Sequence, residues 1–357
     1  MTDLQQTPTI DEDRLMAFVF RAVDEVGATL NAALVVLGDK LGYYRCLARE
    51  PMTPTRLAED TGTGEHYARE WLNAQAAGSF VDFDPATGTY SLAAEHAVAL
   101  TDENSPAFLP GLFQIALGTV ADSHRIVDAA RDGAGLGWHE HNADVHHGCE
   151  RFFRPGYNAH LIESWLPAVG VTEKLTAGAS VADVGCGHGA STILMAQAFP
   201  ASRFVGVDYH AASIDTARQR AVDAGVADRV TFEVAGAQDF SGSAYDLVTM
   251  FDALHDMGDP VGAARHVHEV LTDDGTWMIV EPMAGDRVED NLNPVGRVYY
   301  GFSTLLCTPA SLSQNVGLAI GTQAGPARIR DITTTAGFTR FRSAAETPFN
   351  RVLQVGK

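Results

Sequence analysis

Val181-Ala-Asp-Val-Gly-Cys-Gly-His-Gly189 is the stretch of sequence that decides the fold. Its apolar start, interrupted only by Asp183, predicts a buried strand. Glycines on alternate positions then predict a tight turn whose backbone a ligand can approach closely; they are Gly185, Gly187 and Gly189. The next apolar segment, 204–207, ends in Asp208, a carboxylate where a second strand would place an acceptor for ribose hydroxyls.

The glycine spacing indicates which nucleoside cofactor the turn holds. Asp-x-Gly-x-Gly-x-Gly differs from the Gly-x-Gly-x-x-Gly of pyrophosphate sites, where amide donors at a helix N-terminus bind phosphate. S-adenosylmethionine (SAM) has no phosphate and carries a sulfonium, an ammonium and a carboxylate on its amino-acid end. An acid at a strand end followed by open backbone suits such a ligand. We therefore predict SAM as the cofactor, and an NAD-dependent dehydrogenase is the weakest alternative.

Composition limits the class of protein. At 357 residues and 46% apolar content the chain predicts two domains. A net charge of −20 repels phosphate backbones and anionic lipid heads, so we expect neither nucleic acid nor membrane as a partner. Four cysteines without C-x-x-C spacing predict no disulfide frame and no cysteine zinc site. Without a secretory signal at residues 1–13 or an apolar run of about 18 residues, a cytoplasmic protein is expected.

The first hundred residues predict a mainly helical domain. Apolar residues from Leu15 to Leu41 recur with the i, i+3, i+4 rhythm of an amphipathic helix or helix pair. Two short helices and two β segments around the turn at 84–88 follow, which is the pattern of a winged helix-turn-helix. The second of these helices has Arg69 as its only fixed positive charge, and residues 1–100 hold 7 Lys/Arg against 15 Asp/Glu. We therefore interpret the domain as a homodimerisation platform; a SAM-responsive DNA-binding regulator is the non-enzyme alternative.

The remainder of the chain alternates between strand and helix patterns. Predicted strands at 230–234, 245–251 and 276–280, with helices between them, indicate a doubly wound α/β sheet of Rossmann-like type that ends in a β-hairpin. Residues 282–325 break the alternation, and we expect this insertion to determine the choice of substrate. The predicted domains are a winged-helix domain at 1–100, a helical linker and lid at 101–157, and a cofactor domain at 158–357.

A histidine-rich segment stands out inside the predicted lid. Four histidines and two acids lie within nine residues: His139, Glu140, His141, Asp144, His146 and His147. Imidazole and carboxylate suit zinc or iron. The spacing is not that of a compact metal site, and the neighbouring glycines favour a mobile loop that either faces solvent or covers the substrate. We therefore predict no metal here.

With these residues in view, the chain resembles SAM-dependent methyltransferases with an N-terminal winged-helix dimerisation domain, in particular a bacterial branch of O-methyltransferase-like enzymes that act on small molecules. The resemblance rests on Val181–Gly189, on Leu254-His-Asp-Met-Gly-Asp-Pro260 and on Val280-Glu-Pro282. It covers nearly the whole chain and is strongest from Arg151 to Pro282. It implies a methyltransferase sheet with a helical winged domain, and a homodimer.

The resemblance also implies roles for two residues. In the wider class a Leu-His-Asp-Trp-like motif after the fourth strand supplies a catalytic histidine, and His255 occupies the matching position. Glu281 matches an acid that flanks this histidine in some members. Relatives usually place an aspartate after the third strand to accept from the adenine amino group, whereas this chain has Gly236; Ala237, Gln238 or Asp239 would have to substitute.

The chemistry of methyl transfer selects the remaining candidates. The reaction is an in-line displacement that depends on positioning and on excluding water, and a hydroxyl acceptor must also lose a proton. We predict a small, aromatic acceptor methylated on oxygen, with His255 as general base and Asp256 or Glu281 orienting it. A SAM-dependent enzyme that does not transfer methyl groups is the alternative. The predicted cofactor contacts are Asp183, Gly185, Cys186, Gly187, Gly189, Asp208, Tyr209, Ala237, Gln238, Phe251 and Asp252, and the predicted substrate contacts are Phe153, Tyr157 and Tyr300.

Overall fold

The computed structural model describes residues 10–357. Residues 1–9, which include the start of the predicted 1–100 domain and most of the segment searched for a signal, lie outside the described residues. The chain divides into two compact units. One comprises the residues up to Asp102 together with Phe108–Gln114, and the other comprises Glu103–Ala107 together with Ile115–Lys357.

The first unit is a winged helix-turn-helix preceded by one long helix. Its helices are α1 (Glu12–Leu41), α2 (Tyr43–Leu47), α3 (Pro54–Thr61), α4 (Glu65–Ala77) and α5 (Ala94–Thr101), and its wing pairs β1 (Asp82–Asp84) with β2 (Thr89–Ser91) antiparallel. The apolar rhythm that predicted a helix or a helix pair belongs to the single helix α1. Asp11 caps its first turn through a hydrogen bond from the Arg14 amide, and Gly42 ends it with φ of 75°.

The core of this unit is built around an aromatic cluster. Trp71 of α4 contacts Tyr43 and Tyr44 edge-on, with ring centroids 4.9 and 5.0 Å apart. The Trp71 indole donates to the Leu34 carbonyl at 2.8 Å, which fastens α4 to the end of α1. Gln75, fully buried, is satisfied by hydrogen bonds to Tyr44 and Asn31. The first half of α1 leaves large apolar side chains exposed, including Phe18 at 71% and Phe20 at 67%.

The second unit is a seven-stranded sheet with helices on both faces. Its helices are α6 (Pro110–Ala121), which begins in the first unit, α7 (Ser123–Asp132), α8 (Ala143–His160), α9 (Leu166–Ala168), α10 (Thr172–Ala177), α11 (Ala190–Ala198), α12 (Ala211–Asp223), α13 (Pro260–Val270), α14 (Pro294–Phe302), α15 (Thr308–Leu312) and α16 (Gly325–Thr335). Short 3₁₀ turns occur at Trp138–Glu140, Leu254–Asp256 and Val288–Asn291, and π turns at Leu161–Trp165 and Ser303–Cys307.

The sheet runs in the order β5-β4-β3-β6-β7-β9-β8, in which β3 to β7 are mutually parallel and β9 pairs antiparallel with both β7 and β8. The strands are β3 (Ser180–Val184), β4 (Arg203–Asp208), β5 (Val230–Val234), β6 (Tyr245–Phe251), β7 (Leu271–Pro282), β8 (Arg340–Glu346) and β9 (Asn350–Gly356). Alternate residues of β3 enter the two cores on either face of the sheet, Val181 one and Ala182 the other. The predicted doubly wound α/β fold with a terminal hairpin is confirmed.

One local prediction needs correction. The histidine-rich segment predicted as a mobile loop is a 3₁₀ turn followed by the start of α8, because the Asn142 side chain accepts from the Asp144 amide and caps that helix. Helix α8 continues directly into the π turn at Leu161–Trp165. None of the helices among residues 10–357 combines the length and apolar character that crossing a lipid bilayer requires.

Candidate functional site

A cavity of about 590 Å³ opens at the carboxyl ends of β3, β4 and β6. The chain leaves β3 toward β4 and β5 on one side and toward β6 and β7 on the other, so the gap between β3 and β6 is the topological switch point. Ligands bind at this point in open α/β sheets, because connections to opposite faces leave a crevice there. All residues that line the cavity belong to the second unit.

The glycine turn forms the floor of the cavity. Gly185, Gly187 and Gly189 have φ of 77°, 52° and 77°, the left-handed region that side chains disfavour. A Cβ on Gly185 would lie 2.7 Å from the Ala253 Cβ, whereas a Cβ on Gly187 would meet no protein atom within 4 Å. Gly185 and Gly187 line the cavity and Gly189 does not.

Asp183, predicted to contact the cofactor, lies behind the turn and does not line the cavity. Its carboxylate is 1% exposed and accepts hydrogen bonds from Ser191 and Thr192 at 2.6 Å and from Thr249 at 2.8 Å. Burial raises its pKa despite these bonds. The three hydroxyls use both carboxylate oxygens, so Asp183 ties β3 to α11 and β6 and positions the turn.

Asp208 lies at the end of β4 and lines the cavity. One carboxylate oxygen accepts from the Gly187 amide at 2.9 Å and the other accepts from the His210 amide at 2.8 Å. The first bond joins the ends of β3 and β4 in one rigid arrangement. Burial raises the Asp208 pKa. Tyr209 and Cys186, also predicted as cofactor contacts, line the same part of the cavity.

The segment after β5 provides the next wall. Asp239 accepts from the Gly236 amide at 2.9 Å, so its carboxylate closes this turn and is not a lining group. Ala237 and Gln238 line the cavity, as predicted for residues that replace the missing aspartate. The Gln238 amide nitrogen is held 3.4 Å from the Asp259 carbonyl, which leaves its side-chain oxygen as an acceptor.

The end of β6 brings Phe251 and Asp252 to the cavity. Asp252 has φ of 49°, a strained conformation for a residue with a side chain, and its amide donates to the Val280 carbonyl at 2.7 Å. One carboxylate oxygen accepts from Asn350 at 2.8 Å, while the other is buried without a hydrogen-bond partner. Burial, reinforced by Glu281, raises the Asp252 pKa well above its usual value. An unpartnered buried carboxylate oxygen in a cavity is suited to a cationic ligand group.

His255 and Glu281 form a buried pair just behind the cavity wall. His255 Nδ1 lies 2.5 Å from Glu281 Oε2, and the other Glu281 oxygen accepts from the Leu254 amide at 3.0 Å. His255 Nε2 lies 3.2 Å from Asp256 Oδ1. Burial disfavours the imidazolium, but Glu281 and Asp256 outweigh it and hold the His255 pKa well above its usual value. Of the three predicted catalytic residues only Asp256 lines the cavity.

Aromatic and apolar side chains enclose the opposite end. Phe153 stacks on Tyr157 with ring centroids 6.3 Å apart, and both line the cavity as predicted. Tyr157 in turn contacts Phe251 at 5.1 Å, which joins this wall to the end of β6. Tyr300, the third predicted substrate contact, lies on α14 and is not part of the lining.

The histidine-rich segment contributes one residue to the cavity. His146 lines it, lies edge-on to Trp138 at 5.2 Å and stacks on His210 at 5.2 Å. Burial, followed by the charges of His210 and His188, lowers the His146 pKa to about 4, so the ring is neutral at pH 7. His141 is buried, with Nδ1 3.3 Å from the Asp122 carboxylate.

Several lining residues escaped the sequence prediction. Most come from α8, the turn before it and residues after α14, where no motif marks them: Trp138, Cys149, Glu150, Ala310, Ser313 and Gln314. His146 of the histidine-rich segment and Met257 and Asp259 of the Leu254–Pro260 motif also line the cavity, although no ligand contact was predicted for them. His188 also lines the cavity and was not predicted, although its position inside the glycine turn is a signal from which a ligand contact could have been predicted. The acids Glu150, Asp208, Asp252, Asp256 and Asp259 line the cavity, and no lysine or arginine of the described chain joins them.

Two family models match the chain. Residues 175–311 match a family described as a methyltransferase domain, and residues 29–102 match one described as an Rv2258c-like winged HTH domain. A putative O-methyltransferase structure from Nostoc punctiforme is similar with a TM-score of 0.70 and 19% identity, covering 98% of this chain and 100% of that one. Human N-acetylserotonin methyltransferase in complex with SAM is similar with a TM-score of 0.69 and 14% identity, covering 100% and 99%.

Curated relatives match over shorter stretches. The 27-O-demethylrifamycin SV methyltransferase of Amycolatopsis mediterranei is 31% identical over 140 residues, which is 39% of this chain and 43% of the relative. The trans-aconitate 2-methyltransferase of Paracidovorax citrulli is 32% identical over 108 residues, which is 30% and 40% of the two chains. The chain therefore spans less than half the length of these relatives.

Proposed function

We propose that this chain, in which a methyltransferase domain follows a winged helix-turn-helix domain in sequence, transfers a methyl group from SAM to an oxygen of a small, uncharged or cationic aromatic metabolite. The observation that carries the proposal is the cavity at the sheet's switch point, which joins a left-handed glycine turn and Asp208 to an aromatic wall. In this proposal the chain consists of a winged-helix domain at 1–100, a linker and lid at 101–157 and a cofactor domain at 158–357. Residues 282–325 determine the choice of substrate.

The cofactor is proposed to lie along the ends of β3, β4 and β6. The Gly185–Gly187 backbone faces its amino-acid portion, and the two Asp208 oxygens, already oriented by backbone amides, accept from the ribose hydroxyls. Gln238 offers its free side-chain oxygen to the adenine amino group. The unpartnered oxygen of Asp252 would accept from the ammonium or lie against the sulfonium.

The lining supports an acceptor that is not an anion. Phe153, Tyr157 and Trp138 provide apolar area, whereas the five acids of the lining are accompanied by no lysine or arginine among the described residues. An anionic acceptor would lose its hydration without gaining a cationic partner. A tricarboxylate such as that named for the Paracidovorax relative is therefore excluded in this proposal.

Removal of the acceptor proton is assigned to His255 together with Asp256. Glu281 holds the His255 ring through Nδ1, so Nε2 is the nitrogen directed toward Asp256. Because Asp256 faces the cavity and His255 does not, Asp256 accepts the proton of the acceptor hydroxyl, while His255, whose raised pKa keeps its ring protonated, holds the Asp256 carboxylate in place by its charge at Nε2. Burial raises the Asp256 pKa, which makes this carboxylate a stronger base than an exposed one.

The protein is proposed to act as a cytoplasmic homodimer without nucleic-acid or membrane partners. Support for the dimer is the exposed apolar part of α1, where side chains such as Phe18 and Val23 are 71% and 62% exposed. The four cysteines are all unpaired, as is usual in a reducing compartment. The net charge of −20 opposes binding to polyanions.

The test is a screen of phenols with SAM in which products are detected by mass, using pairs that differ only by an amine or a carboxylate on the ring. We expect methylated product from the phenols that carry an amine and from uncharged phenols. The H255Q and D256N variants should each lower kcat by about 10²-fold or more while SAM affinity, measured by calorimetry, stays unchanged. No calorimetric response to millimolar SAM, or a preference for the carboxylate member of each pair, would refute the proposal.

Full turnover in H255Q and D256N would favour the alternative, a SAM-dependent enzyme that does not transfer methyl groups and dispenses with His255. A protein that binds SAM and a DNA fragment but methylates nothing would favour the regulator.

A further inference from the structure

Cys307 brings a third potential donor atom to the His255–Asp256 pair. The ligand-type atoms of His255, Asp256 and Cys307 all lie within 4.8 Å of one another, on residues that are buried or half-buried. Cys307 ends the π turn Ser303–Cys307, a local departure from α-helical geometry that is frequent at functional sites. Neither the glycine turn nor the aromatic wall requires a thiol at this place.

The surroundings of this group carry an excess of negative charge. Glu281 and Asp256 lie against the His255 imidazole, at 2.5 and 3.2 Å from its two nitrogens, and the Asp252 carboxylate interacts with the same three groups. Asp256 Oδ1 is buried and lies 3.2 Å from His255 Nε2 without the geometry of a hydrogen bond. No lysine or arginine side chain of the described residues lines the adjoining cavity. A cation bound between these groups would relieve their mutual repulsion.

We propose that His255 Nε2, the Asp256 carboxylate and the Cys307 thiolate bind a zinc ion whose fourth position opens into the cavity. Imidazole, carboxylate and thiolate are the ligand types that zinc prefers, and three protein ligands with one open position are typical of its reactive sites. Tetrahedral zinc places its ligand atoms about 3.3–3.8 Å apart, so the separations between the donor atoms, all within 4.8 Å, would need to shorten by about 1.5 Å at most.

Glu281 completes this arrangement from behind. Metal-binding histidines usually donate their second ring N–H to a carboxylate, which fixes the ring and makes the other nitrogen a better ligand. His255 Nδ1 lies 2.5 Å from Glu281 Oε2, and Glu281 is itself fixed by the Leu254 amide at 3.0 Å. The ring is therefore held with Nε2 toward Asp256 and Cys307 before any metal binds.

The role of the ion rests on the proposed function, but its binding does not. A zinc ion would lower the pKa of an acceptor hydroxyl bound at its open position; His255 Nε2 would then be a ligand and not a base, and the proton would pass to the Asp256 oxygen that does not bind the metal. Binding depends only on the three donors and can be measured without an acceptor.

The experiment uses cobalt as a spectroscopic substitute for zinc. Full-length protein is stripped with a chelator and titrated with Co²⁺, and zinc content is measured after zinc loading and gel filtration. We expect one metal per chain, visible d–d bands of tetrahedral cobalt and a near-ultraviolet thiolate-to-cobalt band. The C307S variant should lose the thiolate band, and E281Q should bind zinc about 10- to 100-fold more weakly.

Cys149 provides the matched control, because it is a thiol that lines the same cavity but is not one of the three ligands. C149S should keep the thiolate band. No cobalt spectrum in the wild-type protein, or a band that disappears in C149S and survives in C307S, would overturn the proposal. Circular dichroism and SAM calorimetry on every variant distinguish these results from misfolding and from failure of the proposed function.

Discussion

Replacing Gly187 with alanine should weaken SAM binding far more than it weakens the fold. Gly187 has φ of 52°, and a side chain in the left-handed region costs about 1–2 kcal/mol of folding free energy. The added methyl group would meet no protein atom within 4 Å, so no further steric cost arises in the folded protein. It would instead project into open space beside the cavity that we assign to the cofactor.

Gly225 gives a control with the same backbone cost and no ligand nearby. It has φ of 68°, has no protein atom within 4 Å of a would-be Cβ, and does not line the cavity. G225A and G187A should therefore lose a similar 1–2 kcal/mol, about 2–8 °C in melting temperature for a unit of this size. Only G187A should lose affinity for SAM, by at least about tenfold, or 1.4 kcal/mol.

Gly185 gives a variant in which the loss of stability, and not only the loss of SAM affinity, should exceed that of the control. The would-be Cβ lies 2.7 Å from the Ala253 Cβ, closer than two carbon atoms tolerate, so G185A carries a steric cost in addition to the backbone cost. It should be the least stable of the three variants. Urea unfolding and SAM calorimetry measure both quantities, and equal SAM affinity for G187A and G225A would refute the placement of the cofactor over the turn.

Three further outcomes are expected. D208N should weaken SAM binding by about 10- to 100-fold in calorimetry, because it removes a charged acceptor for the ribose, and an unchanged affinity would exclude this role. Burial is the main cause that lowers the pKa of His146 from 6.5 to about 4, so the free energy of unfolding is highest above pH 6.5 and falls as the pH drops toward 4. H146F lacks this titration and should therefore lose about 1–2 kcal/mol less unfolding free energy than the wild type between pH 8 and pH 5 in urea unfolding. Equal losses in the two proteins would contradict the assignment. F18E should shift the protein from dimer to monomer in light scattering while Y67E, a change at a similarly exposed aromatic residue outside α1, should not, and a monomeric wild type would exclude the proposed dimer.

The parts of the fold that were predicted correctly depend on local patterns. The turn at Val181–Gly189 and strands β5 and β6 follow from apolar runs and glycine positions, which act within a few residues. The methyltransferase domain was expected from a resemblance carried by short motifs, and the winged helix from its helix and turn pattern; family models of a methyltransferase domain and of a winged HTH domain match residues 175–311 and 29–102. The histidine segment was wrongly predicted as a loop, since its cap, Asn142, was not recognised.

The sequence by itself determined the alternation of strands and helices and the glycine turn, because backbone preferences and burial periodicity are properties of short segments. Which of the marked residues face the cavity was decided only by the tertiary structure. Asp183 and Asp208 both end strands, yet three hydroxyls from α11 and β6 enclose the first, while the second remains at the cavity. His255, Asp256 and Cys307 come together only because the chain returns past β6 some 50 residues later, and sequence spacing carries no information about such a contact.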